Sequence, residues 1–117
     1  MKENMDEWDY NKINNLFRGI VNNTNNYLKE LKSRIKNGEQ SQDVFDQYLA
    51  KHDIYQSLSG KLCLTSKETL ISELRDMLRN PRHNSSRVFD NKNYIRWWKS
   101  FIAEMIIDLE KGKYPII

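Results

Sequence analysis

The sequence predicts an all-α fold: an antiparallel bundle of four main helices, or five if the first one breaks near Asn22–Asn26. Three observations carry this prediction. Apolar residues recur at alternating steps of three and four, which is the spacing of one helix face and not of a strand. Helix stops and starts (Gly38, Ser41, Gly60, Thr65, Pro81, Gly112) fall between these stretches. Four amphipathic helices with mostly short joints then bury their faces most simply against one another.

The first helix is expected from about Asp6 to Asn37, with Ile13, Phe17, Ile20, Thr24, Tyr27 or Leu28, Leu31 and Ile35 along its apolar face. Gly38 supplies its stop. Asn22, Asn23, Asn25 and Asn26, together with Thr24, weaken it by about 3 kcal/mol relative to alanines. Unbroken, it would be about 45 Å long. A compact domain of this size is only about 35 Å across. The helix therefore either breaks at the asparagines or belongs to an elongated bundle, and the elongated bundle is the expectation.

The second helix opens at Ser41, a good N-cap, and is expected to bury Phe45, Tyr48, Leu49, Tyr55 and Leu58 before Gly60 ends it. The segment 61–64 is too short and isolated to form a sheet. Thr65-Ser-Lys-Glu68 matches a capping box, which satisfies two otherwise orphan amides. Leu70, Ile71, Leu74, Met77 and Leu78 follow on the third helix, and Asn80-Pro81 ends it. The last helix starts at Asp90 or Asn91 and carries Tyr94, Trp97 or Trp98, Phe101, Ile102, Met105, Ile106 and Leu109. Its two adjacent tryptophans point about 100° apart. One is expected in the core and the other at a helix edge or at an interface.

Composition sets further bounds. With 117 residues the chain is expected to form a single helical domain. One Cys excludes an internal disulfide framework, and Cys63 between two leucines reads as a buried thiol. Only two His accompany it, so no metal site and no cofactor are expected. The acidic start, with no apolar run behind it, does not read as a secretory signal, and no stretch reaches the length of a membrane span. The expected location is therefore the cytoplasm, with no membrane partner. Frequent Asn, Lys and Ile suggest an AT-rich genome of bacterial, plasmid or phage origin.

Charge is uneven. Between Arg75 and Lys99 five Arg and two Lys face only Asp76 and Asp90, while the opening nine residues are acidic. Arginine suits bidentate contacts to carboxylate or phosphate. The candidate partner-binding residues are Arg79, Arg82, His83, Arg87, Arg96, Trp97, Trp98 and Lys99. No catalytic residue is assigned. His52 reads as a surface residue held by a neighbouring carboxylate, and Glu104 with Asp108 lack the Glu-x-x-His partners of a metal pair.

Within this basic corner, Arg79-Asn-Pro-Arg-His83 resembles the motif of the HEPN-type ribonucleases, small helical bundles that place four to six residues between an Arg and a His. The resemblance implies proton transfer by His83 and phosphate stabilisation by Arg79. Three residues separate Arg79 from His83 here, and Pro81 interrupts the helix that carries the motif in that family.

The functional expectation is a stoichiometric protein-binding module of the inhibitor or toxin-immunity type, with an acidic protein as partner. The alternatives are a nucleic-acid-binding module that uses the 75–99 segment and an HEPN-like ribonuclease. Self-association as a homodimer is a further expectation, drawn from the first helix's spacing and the apolar 114–117 tail.

Overall fold

Four helices make up the computed structural model, which describes residues 8–62, 64–80 and 91–113. They are α1 (Tyr10–Lys36), α2 (Gln42–Leu58), α3 (Lys67–Arg79) and α4 (Lys92–Glu110). The described residues contain no strand. None of these helices is long and apolar enough to cross a membrane. The fold is all-α, with four helices among the described residues, and the first of them is one helix rather than two.

α1 is continuous for 27 residues. Asp9 caps it, its carboxylate accepting from the N–H groups of Asn11 and Lys12 at 2.9 and 3.3 Å. The asparagines do not break it, because Asn22, Asn23, Asn25 and Asn26 all face solvent. Their weak helix propensity is outweighed by burial of Ile13, Phe17, Ile20, Leu28 and Leu31 on the other face. Thr24 lies on that buried face, and its hydroxyl donates to the Ile20 carbonyl at 2.8 Å. At 1.5 Å per residue α1 is about 40 Å long, and it sets the long axis of a molecule measuring 48 × 30 × 23 Å.

The remaining helix starts follow from single side chains. Ser41 caps α2 through the Val44 N–H. The capping box of α3 lies one residue later than Thr65–Glu68: Ser66 Oγ accepts from the Thr69 N–H, and Thr69 Oγ1 accepts from the Ser66 N–H at 2.9 Å. Thr69 thus performs the reciprocal role expected of Glu68, and Glu68 lies exposed in the first turn. At α4 the cap is Asn91, whose side-chain oxygen accepts from the Tyr94 N–H at 3.0 Å. Gly38 and Gly112 follow α1 and α4 with φ of 77° and 85°, a region where a Cβ would be strained.

α1 packs on α2, α2 on α4 and α3 on α4, so α2 is covered from two sides. Ring pairs fix the directions. Phe17 meets Tyr55 and Tyr27 meets Tyr48, so α1 and α2 run antiparallel. Asp43 meets Trp97 and Lys51 meets Phe101, so α2 and α4 advance together, as alternate helices of an up-and-down chain do.

One contiguous core results, with Phe17, Ile54, Leu58, Leu74, Met77, Tyr94, Trp98 and Leu109 almost wholly enclosed. The Trp8 indole donates to the Leu64 carbonyl at 3.0 Å, and the Gly60 N–H donates to Asn14 Oδ1 at 2.6 Å. These two bonds clasp the start of α1 to the joint between α2 and α3.

The expected apolar face of α2 needs correction. Tyr55 and Leu58 are buried as predicted, but Phe45, Tyr48 and Leu49 are only half-buried. Ala50 and Ile54, with the carboxylates of Asp46 and Asp53, occupy the enclosed side instead. The enclosed sides of α2 mix carboxylates with apolar groups, so a reading by apolar periodicity alone selects the wrong residues.

Candidate functional site

The adjacent tryptophans divide their roles. Trp98 is fully enclosed, so it cannot be the contact residue that the sequence proposed. Its Nε1 has no hydrogen-bond partner among the described residues. Trp97 is half-buried at the helix edge and is the tryptophan of this pair at the surface. Arg96 and Lys99 are exposed on α4 and, with Lys92, form a cationic stripe along its solvent side. Arg79 is exposed at the end of α3. Arg82, His83 and Arg87 lie outside the described residues, as do Cys63 and the 114–117 tail. The Arg79–His83 motif is therefore not placed.

Trp97 is held on several sides. Its indole N–H donates to Asp43 Oδ1 at 2.9 Å. Its ring stacks on Phe101 with centroids 5.6 Å apart, and the Arg96 guanidinium lies 4.8 Å from the Trp97 centroid. Arg96 donates to Asn93 Oδ1 at 2.6 Å and lies 3.6 Å from Asp43. An arginine above a ring edged by a carboxylate is oriented, and it loses less freedom on meeting a second carboxylate.

From Phe101 the pattern continues onto α2 and α1. The Lys51 ammonium lies 5.2 Å from the Phe101 centroid and 5.7 Å from that of Tyr48, and Tyr48 meets Tyr27 edge-on at 4.7 Å. Burial disfavours the charged form of Lys51 and lowers its pKa below the usual lysine range, with Glu104 partly opposing this. The outcome is a strip of alternating rings and cations, Arg96–Trp97–Phe101–Lys51–Tyr48–Tyr27, crossing three helices.

The expected basic corner is less free than its charge count implied. Arg75 is engaged by Glu110 of α4, and Arg96 leans on Asp43. These carboxylates come from distant parts of the chain, so a local charge count does not register them.

Sequence reasoning missed the row of carboxylates that α2 presents to α4. Asp46 is buried and accepts from Gln42, Asn91 and Asn93 at 3.2, 3.1 and 3.0 Å. Asp53, also buried, accepts from the Tyr94 hydroxyl at 2.6 Å. Asp43 accepts from Asn93 at 2.8 Å as well as from Trp97. The Trp97 indole first, and then Asn93, hold its carboxyl below the ordinary carboxylate range.

One signal was present in the sequence. Positions 43, 46, 50, 53 and 54 follow helical spacing, and the aspartates among them match the amide, phenol and indole donors at the start of α4. This seam is filled by protein donors, so it reads as a fastening that fixes how α4 sits on α2.

His52 also differs from expectation. Its Nδ1 lies 3.0 Å from the Thr24 hydroxyl of α1, while the adjacent Asp53 faces α4. Successive helix positions point about 100° apart, which sends these two neighbours to different helices. Among the described residues no group of three or more His, Cys, Asp or Glu is arranged to hold a metal ion.

Comparison of the chain with protein-family models, with curated proteins and with solved structures gives no match, so the functional reading rests on the chemistry around Trp97.

Proposed function

We propose that the chain is a protein-binding module that captures an acidic partner on the strip running from Arg96 to Tyr27. The observation that carries this reading is the oriented Arg96–Trp97–Phe101 stack beside the exposed Lys92 and Lys99. Trp and Arg dominate the energetics of protein interfaces because a flat ring buries much area and a guanidinium pairs carboxylates bidentately. Stacks already formed in the free protein reduce the ordering penalty of association. A module of this kind acts stoichiometrically, by covering the surface it binds, which is the action of an inhibitor or immunity-type protein.

The test uses two labelled probes of equal charge, a Glu/Asp-rich peptide interspersed with Tyr and a single-stranded oligonucleotide. Fluorescence anisotropy is followed at low and moderate salt. Capture of the peptide, weakened at least tenfold by W97A or by R96E/K99E, supports the reading. Preferential retention of the oligonucleotide, with affinity falling steeply as salt rises, transfers the surface to nucleic acid instead. Unchanged peptide affinity in both variants refutes the assignment of this strip.

A further inference from the structure

A second surface, on the side of α2 that meets α1, has different chemistry. Asn25, Leu28, Lys29 and Lys32 of α1 and Phe45, Leu49 and His52 of α2 line a cavity of about 200 Å³. Its apolar wall is Leu28, Phe45 and Leu49. Its polar rim contains two lysines and no carboxylate.

The cations there are not engaged elsewhere. Neither Lys29 nor Lys32 has an ion-pair partner among the described residues. Glu30, the neighbouring acid in the sequence, is held by Arg34 at 2.8 Å. His52 is anchored at one nitrogen. Its Nδ1 shares a hydrogen bond of 3.0 Å with the Thr24 hydroxyl, which also approaches the Ile20 and Val21 carbonyls at 2.8 and 3.1 Å. The imidazole is thereby fixed as part of the cavity wall.

We propose that this cavity binds a small organic monocarboxylate, an aryl or branched-alkyl group carrying one carboxylate. The chemistry selects it from both ends. Leu28, Phe45 and Leu49 favour an apolar body, and two unpaired ammonium groups at the rim favour an anion over a neutral or cationic head. Size agrees as well: about 200 Å³ has room for roughly seven water-sized groups at ~30 Å³ each, the scale of a single ring with a short acid arm. The site lies between α1 and α2, beside the Tyr48–Tyr27 end of the strip, and shares no lining residue with it.

Phenylacetate is the probe, with 2-phenylacetamide as its neutral counterpart and acetate as the anion without an apolar body. Each is titrated into the 15N-labelled protein while amide chemical shifts are followed. The expected result is saturable shifts for phenylacetate, clustered at residues 24–32 and 45–52. The two controls should bind at least tenfold more weakly. K29A/K32A should weaken phenylacetate roughly tenfold, because exposed lysines are removed without touching the core. L49W should abolish binding by filling the cavity, with unchanged helical circular dichroism certifying its fold. Equal binding of phenylacetamide, shifts scattered over other helices, or no saturation by phenylacetate at ~10 mM each overturn the proposal. The lysine double variant decides the matter even if L49W fails to fold.

Discussion

α2 is held on its two sides by different physics. Against α1 it uses rings and aliphatic groups, with Phe17 on Tyr55 and Tyr27 on Tyr48. Against α4 it adds a line of carboxylates, Asp43, Asp46 and Asp53, to Asn91, Asn93, Tyr94 and Trp97. Apolar contact is strong but non-directional, and it tolerates sliding of one helix along the other. Hydrogen bonds to a buried carboxylate add little net stability yet become costly when misaligned. The α1 side therefore supplies most of the hold, and the α4 side sets register and keeps Trp97 in place.

The largest effect that tests this division is a cavity on the α1 side. Phe17 is wholly buried, and Phe17→Ala should cost about 3–5 kcal/mol, read as a reduced urea midpoint with an unchanged slope. On the α4 side, Asp53→Ala removes the acceptor of the buried Tyr94 hydroxyl bond, and a loss of about 1–3 kcal/mol is expected. A double-mutant cycle with Tyr94→Phe should return a coupling of about 1.5 kcal/mol or more, the range for a hydrogen bond to a charged group. A coupling near zero would mean the carboxylate row does not fasten the helices.

Thr24→Val probes the polar contact within the mostly apolar interface. It preserves shape but removes the hydroxyl partner of His52 Nδ1, so a loss of about 1 kcal/mol is expected by chemical denaturation. Adding His52→Leu should recover part of that loss, because removing both partners is less harmful than removing one.

What the sequence disclosed and concealed divides along the same line. α1, α3 and α4 bury predominantly apolar faces, and their periodicity pointed correctly to Ile13, Phe17, Leu31, Leu70, Leu74 and Leu109. α2 mixes aspartates with apolar residues on its enclosed sides, so the stripe expected through Phe45, Tyr48 and Leu49 was misplaced. The buried aspartates were passed over because aspartate is ordinarily a surface residue, and only the three-dimensional meeting with α4 explains their burial. Arg96 and Trp97 were legible as candidates. Their stacking is local to α4, but the carboxylate that orients them both, Asp43, lies more than fifty residues away in sequence.

The smallest effect concerns acid, and it isolates the fastening from the core. The Asp43 carboxyl is held below the ordinary aspartate value of 3.8 by the Trp97 indole and Asn93. A carboxylate whose folded pKa is depressed stabilises the fold fully above its unfolded pKa. That contribution is lost as pH falls through 3.8 and on through the lower folded value. Asp43→Asn removes the titrating group, so its stability curve should be flatter than the parent's on the acid side of pH 5. It should also converge with the parent at the acidic end. Because the neutral donors Trp97 and Asn93 set most of this shift and the Arg96 charge the least, the difference should depend only weakly on salt. Chemical denaturation at several pH values reads this directly, and the near-ultraviolet dichroism of Trp97 should change in the same pH interval. If the parent and variant curves stay parallel, Asp43 does not hold the indole through its charge, and the register-setting role falls to Asp46 and Asp53 alone.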